Sequence, residues 1–437
     1  MIRKLFRLII IVLMIIGIIL GISIAIKNSF PNISLKKAEK NVVNKIQSTN
    51  AEIIEIYTYG RALNLKGRIP KVLKDNVESV KILLTDGLDY EKTYNLKYSI
   101  EENYLVFDTT EEINTGINLD KLEIGSQYYI LLRLKLNNSV NPKFYSFANC
   151  DELNYYSLTK EGTNKLSKIQ VVDKKYKKNE YKFLTITTEN AELPEEIYDI
   201  VIDSGHGGKD TGNKNDKLVE ADITLEYAKL LKTYLEEKGF KVKLTRDDEN
   251  SSSYNEVNMY DEDGRITTAC KTRAKLMISF HINNGDSSLS GFEIYCPPNS
   301  NFNLAKKIAK NINDNTNLRF SNSNNSKKAD GVYLRNYTEA QIKDSAKTAE
   351  RKGYKPYNIT TDTAFLYTIR EVGTYGTGAY VDGRNKDYNK NEFYNGSYGI
   401  ECYQLELGYM KTDSDILISE KDNITKEIAN AIEEYYK

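Results

Sequence analysis

The sequence predicts an α/β domain with a largely parallel sheet flanked by helices, preceded by an all-β sandwich of immunoglobulin-like type and an amino-terminal transmembrane helix. Three observations carry this expectation. Beyond about residue 196, short apolar runs alternate with segments of helical periodicity. Between about residues 51 and 190, runs rich in Ile, Val, Tyr and Leu are broken by Asp, Asn and Gly turns. At the start, an uncharged apolar stretch follows three basic residues. The expected division is a membrane anchor over 1–27, a linker or stalk over 28–50, the sandwich over 51–190 and the α/β domain over 196–437.

The amino-terminal stretch runs from Leu8 to Ile26 behind Arg3, Lys4 and Arg7. At about 1.5 Å per residue it reaches across a hydrocarbon core of roughly 30 Å. The basic flank favours the cytoplasmic side, which predicts a single-pass protein of the cell membrane whose carboxy-terminal bulk is extracytoplasmic. Ser23, Ile24 and Ala25 offer a rival signal-cleavage site, but the apolar run exceeds the usual signal core of about 7 to 15 residues. Either way the remainder is expected outside the membrane. Ser34 to Gln47 is charged with helical spacing and reads as the stalk.

Lys plus Arg and Asp plus Glu both number 61, so no net field favours nucleic acid as a partner. The 4 cysteines, Cys150, Cys270, Cys296 and Cys402, are widely spaced and form no CxxC, which argues against a cysteine zinc site or a dense disulfide framework. In the middle region the strand-like runs are Ile53–Tyr59, Val80–Leu84, Tyr104–Phe107, Tyr128–Leu136 and Tyr181–Thr187. That region holds no histidine and no cluster of catalytic side chains, so a structural module is the expected role.

The carboxy-terminal domain contains both histidines of the chain. His206 follows the apolar run Ile200–Ile202 inside a glycine-rich loop, and His281 follows Leu276–Phe280 directly. In parallel α/β sheets ligands gather at the carboxyl ends of strands, where both imidazoles are expected to fall. A catalytic zinc commonly takes three His or carboxylate ligands and keeps a fourth position open. Glu220 is the best third candidate, since it follows the glycine loop and opens a helix with apolar positions Ile223, Tyr227, Leu230, Leu231, Tyr234 and Leu235; Asp222 is its nearest competitor.

These residues carry a family resemblance. DSGHGGKDTG around His206, Glu220 at a helix start, LTR at Leu244–Arg246, Arg265 ahead of His281 in SxHxN, GFEIY at Gly291–Tyr295 and LELGY at Leu405–Tyr409 resemble the zinc-dependent N-acetylmuramoyl-L-alanine amidases of bacterial cell walls. The resemblance covers about residues 198–437. It implies that His206, Glu220 and His281 hold Zn2+, that Glu406 is the catalytic glutamate, and that the substrate is the amide joining muramic acid to L-alanine in peptidoglycan. Glu406 sits near the end of a mostly apolar strand, where a carboxylate without a partner is costly, and it suits a base that takes a proton from water and returns it to the leaving amine.

Two departures stand out. Tyr403 and Gln404 interrupt a strand that is usually aliphatic in the family, and Gln404 shares a face with Glu406 by strand alternation. An insertion over about 319–399 is longer than the family's usual link and carries Arg370, Glu371, Tyr380, Asp382 and Arg384 among glycines. Asn283, Arg370, Arg384 and Gln404 are the substrate-binding candidates. Two other readings remain at this point: a catalytically silent relative that binds the wall or regulates an unspecified protein partner, and a zinc hydrolase acting on another peptide or amide bond.

Overall fold

The computed structural model describes residues 37–46, 49–70, 76–109, 111–158, 164–176, 178–247, 264–323, 327–353, 356, 359–373 and 398–437. The expected fold class needs correction. Most strand pairs among these residues are antiparallel, and the sheet of the carboxy-terminal domain is mixed. No helix among the described residues is long and apolar enough to cross a membrane. The stretch Leu8–Ile26, on which the transmembrane expectation rested, lies outside them.

The amino-terminal domain is built from two sheets. One has six strands, including Glu52–Tyr59, Ala62–Pro70 and Tyr104–Asp108, and the other seven, including Val77–Thr85, Gln127–Leu136, Asn164–Tyr176 and Asn179–Asn190. Alternation explains the layering. Ile82, Leu84, Ile130 and Leu132 face Leu63, Leu65 and Phe107 in a shared core, while Leu83, Tyr129 and Leu131 point the other way. Sheets of six and seven strands exceed the roughly seven to nine strands of the whole immunoglobulin pattern. The outer face of the seven-stranded sheet is covered by a helix over residues 37–45, whose Ala38, Val42 and Val43 pack on Leu83, Tyr129, Leu131 and Phe183. Residues 37–45, within the segment expected as a stalk, thus pack on the sheet, because their helical spacing presents an apolar stripe that it buries.

Elements of the carboxy-terminal domain are labelled here in chain order: β1 (Ile200–Ser204), α1 (Glu220–Glu237), β2 (Val242–Leu244), α2 (Arg265–Lys271), β3 (Leu276–Asn283) and β4 (Glu293–Tyr295). There follow α3 (Asn303–Asn315), β5 (Lys327–Ala329), β6 (Val332–Tyr333), α4 (Glu339–Lys352), α5 (Tyr367–Gly373), β7 (Glu401–Tyr409), α6 (Ser414–Ser419) and α7 (Lys421–Tyr436). The sheet order is β2-β1-β3-β7-β4-β6-β5. Strands β2, β1, β3 and β7 are mutually parallel, but β4 returns antiparallel to β7 and β5 is antiparallel to β6. Residues Ile202, Ile278 and Leu405 pack under α1, α3 and α7. Val201, Met277 and Cys402 point to the opposite face, under α2 and α5.

The two domains meet at a part-buried polar seam. Residues Tyr398 and Gly399, just ahead of β7, pair in parallel with Thr58 and Tyr59 and so extend the six-stranded sheet. Asn114 Nδ2 donates to Glu401 Oε1 at 2.9 Å. The Arg61 guanidinium lies 3.8 Å from the centre of the Tyr435 ring and donates to the Tyr435 carbonyl at 2.5 Å. Lys275 is buried between Asp120 and Asp199, at 3.9 and 3.6 Å.

Candidate active site

The site begins where β1 ends. Asp203 is fully buried and gathers the strand ends: its Oδ1 accepts from Thr245 at 2.7 Å and Arg265 at 2.9 Å, and its Oδ2 accepts from Ser279 at 2.7 Å. Burial raises its carboxyl, but Arg265 and the two hydroxyls outweigh that and hold it below the ordinary carboxylate range. Arg265 Nη2 also donates to the His206 carbonyl at 2.9 Å. Arg246 donates to the carbonyls of Ser204, Gly205 and Ala221 at 3.2, 3.1 and 2.6 Å. Two buried guanidiniums thus fix a loop whose His206 adopts a φ of 60°, a left-handed conformation unusual for a residue with a side chain.

Close approach explains two of the glycines. A Cβ on Gly205 would lie 2.5 Å from the His281 ring, and one on Gly212, where φ is +62°, would lie 2.6 Å from the His206 ring. With both side chains absent the imidazoles stand 5.0 Å apart, centre to centre. Glu220, the first residue of α1, comes between them: its Oε1 is 3.0 Å from His206 Nε2 and 3.3 Å from His281 Nδ1. Donor atoms of His206, Glu220 and His281 all lie within 4.8 Å of one another.

Each of the three is oriented by a neighbour. Asp210 Oδ2 sits 2.8 Å from His206 Nδ1, the carboxylate–imidazole arrangement that fixes a ligand's tautomer. Glu220 Oε2 accepts from the Asn213 backbone and side chain, both at 2.8 Å, and Oε1 accepts from the Ile282 backbone at 2.8 Å. Burial pushes the His206 imidazole down, yet Glu220 and Asp210 outweigh it and raise it to about 9. Burial likewise pushes Glu220 up, while the two imidazoles hold it far below its usual range. Negative charge is therefore stabilised where a cation fits. His281 Nε2 is buried with no hydrogen-bond partner among the described residues, a cost that a ligand would remove. The donor set of two imidazoles and one carboxylate suits zinc.

Parallel register completes the arrangement. Glu406 of β7 is the direct partner of His281 on β3 and of Glu293 on β4, so all three point from the same face. Burial raises the Glu406 carboxyl above its ordinary range, against the pull of His281 and the hydrogen bond from Gln404. Such a group binds a proton more readily than an exposed glutamate does.

Residues 200–343 match the family model described as N-acetylmuramoyl-L-alanine amidase. Over that stretch the carboxy-terminal domain is similar to N-acetylmuramoyl-L-alanine amidases. The germination-specific N-acetylmuramoyl-L-alanine amidase of Bacillus subtilis is 33% identical over 143 residues, 31% of this chain and 60% of its own length. LytC of the same organism, an N-acetylmuramoyl-L-alanine amidase, is 28% identical over 42% of this chain and 32% of its own. Among solved structures, the amidase AmiC2 of Nostoc punctiforme shows 22% identity across 55% of this chain and 97% of its own, with a TM-score of 0.35. The chain thus spans about 60% of the germination-specific relative.

Within the carboxy-terminal domain the other substrate candidates separate. Asn283, two residues beyond His281 on β3, donates to Glu293 Oε2 at 3.0 Å. Gln404 donates to Glu406 Oε1 at 2.9 Å. Arg370 is buried and faces inward: it donates to Glu371 at 2.7 Å, to the Tyr337 hydroxyl at 3.0 Å and to the Phe365 carbonyl at 2.9 Å, so it braces the insertion. Arg384, with Tyr380 and Asp382, lies outside the described residues. Sequence reasoning passed over Glu293, which is buried and accepts from Ser321 and Tyr409 at 2.8 Å and Tyr295 at 2.7 Å. Its signal was the alternation of Glu293 with Tyr295, which acquires meaning only once β4 is known to lie against β7. Asp210 was more accessible: a carboxylate four residues after a histidine in a glycine loop is within reach of the ring.

Proposed function

We propose that the protein is a zinc-dependent hydrolase that cleaves the amide between N-acetylmuramic acid and L-alanine in peptidoglycan, and that it works outside the cytoplasmic membrane, where that polymer lies. The single observation that carries this reading is the placement of Glu406 in register with His281, beside the cluster of His206, Glu220 and His281, in a domain that matches the amidase family model.

His206, Glu220 and His281 would hold the zinc, which supplies a Lewis acid that polarises the scissile carbonyl. The chain's own residues do the rest. Asp210 fixes the His206 tautomer, and Asn213 with the Ile282 amide fixes the Glu220 carboxylate. Glu406 takes the proton of the attacking water and returns it to the departing alanine nitrogen, a base becoming an acid. Its burial favours the second half of that cycle, because a proton once taken is held until the amine accepts it. The presence of all four side chains in one place speaks against the silent, wall-binding alternative.

The test uses the full chain loaded with zinc and its Glu406→Ala variant, each incubated with peptidoglycan. Mass spectrometry should find stem peptides with a free L-alanine amine from the parent. The variant should keep stoichiometric zinc while losing about 10²- to 10⁴-fold in rate. Zinc binding by both proteins with no released stem peptide from either would overturn the amidase reading.

A further inference from the structure

We infer that Thr368 and Gln404 form a positioning relay through which the inserted segment holds Glu406 in its working orientation; the inference rests on Glu406 being the proton-transfer group proposed above. Gln404 and Glu406 alternate on β7 and share the face that α5 covers. Gln404 Nε2 donates to Glu406 Oε1 at 2.9 Å, and at the other end of the same amide Oε1 accepts from Thr368 Oγ1 at 3.3 Å. Thr368 belongs to α5, inside the insertion, and is completely buried; Gln404 and Glu406 are only 6% and 8% exposed. Ile369 and Val372 anchor the helix against Met277 and Cys402, so the hydroxyl has a fixed place.

The chemistry of an amide makes this contact directional. A glutamine side chain has a donor end and an acceptor end of nearly the same shape. Turned over, Gln404 would set a carbonyl oxygen against the Glu406 carboxylate, where two acceptors repel. The carboxylate selects the N–H end, and the Thr368 hydroxyl supplies the donor that the carbonyl end then takes, which holds the amide in place. Glu406 Oε1 then receives an N–H, and its second oxygen is left for the proton transfer. The relay is absent from any reading of β7 alone, since its fixed point lies in the insertion. It gives that segment a part in the reaction without contact with substrate.

Four variants of the full chain test the relay: Thr368→Val, Thr368→Ser, Gln404→Leu and the double variant Thr368→Val/Gln404→Leu. Each is assayed for kcat and KM on a muropeptide, zinc content and melting temperature. Thr368→Val keeps the shape and removes the donor, so kcat should fall about tenfold while KM and zinc content stay at parent values. Thr368→Ser should return kcat to within about threefold of the parent, and Gln404→Leu should lower it at least as far as Thr368→Val. The double variant should be no slower than Gln404→Leu, because Thr368 reaches Glu406 only through that amide. An unchanged kcat in Thr368→Val, or an equal further loss in the Gln404→Leu background, overturns the relay. Should the parent cleave no muropeptide, the amidase reading fails separately, and a crystal structure of Thr368→Val still decides: Gln404 displaced from Glu406 supports the relay, and Gln404 unmoved refutes it.

Discussion

Asp203 is the residue on which the site's geometry depends most, although it touches neither imidazole directly. It is fully buried and paired with Arg265, so Asp203→Asn removes the charge of one partner of a buried ion pair. Loss of one partner of a buried pair costs about 3 to 5 kcal/mol. The pH dependence follows from the lowered carboxyl. Its stabilisation is fully present above the unfolded value of about 3.9 and is lost as pH falls through the still lower folded value. Denaturant melts should therefore show stability declining below about pH 4 in the parent, with a shallower decline in Asp203→Asn. At this scale the sequence was informative about His206, Glu220 and His281, because rare imidazoles at strand ends declare themselves. Asp203 and Glu293 did not: a carboxylate within a strand looks alike whether it faces solvent or four donors, until the neighbouring strands are known.

At the scale of elements, β7 brings distant parts together. Its register against β3 sets Glu406 beside His281, and its opposite edge takes β4 antiparallel. The short strand Glu293–Tyr295 carries no mark of direction in its sequence, since three residues alternate identically either way. That is why a parallel sheet was expected and a mixed one found. Ahead of β7 the chain is pinned again: Ile400 N donates to the Val372 carbonyl at 2.9 Å. Gly373 and Tyr398, the described residues bounding 374–397, are thus held near one another. Replacing 374–397 by a four-residue Gly/Ser link should leave the fold intact, since shortening such a closure changes its entropy by only roughly 1 to 2 kcal/mol. Retained zinc binding and a melting temperature within a few degrees are expected, and a comparison of muropeptide turnover then tests the contribution of Arg384. Unfolding of the shortened chain would show that 374–397 supplies contacts the domain requires.

For the whole molecule the seam decides whether the two domains are separable. Arg61 over Tyr435, Asn114 on Glu401 and Lys275 beside Asp120 are part-buried polar contacts across the seam, and removing either domain would strand their partners. Calorimetry of the full chain should accordingly give one cooperative transition. Arg61→Ala should lower its midpoint by about 1 °C, corresponding to roughly 1 kcal/mol in a single cooperative unit of this length. Two transitions in the parent, with the variant altering neither, would refute the coupling. None of these contacts was legible beforehand, because each joins residues far apart in the sequence and neither partner has a distinctive local pattern.

The two-residue strand Tyr398–Gly399 has a consequence for descent. Because the carboxy-terminal half donates it to a sheet of the other half, recombination between the halves would remove a strand from that sheet. The amino-terminal domain and the insertion are therefore expected to have been inherited together, and gene fusions that give this carboxy-terminal domain a different amino-terminal companion should also have replaced the chain around residue 398.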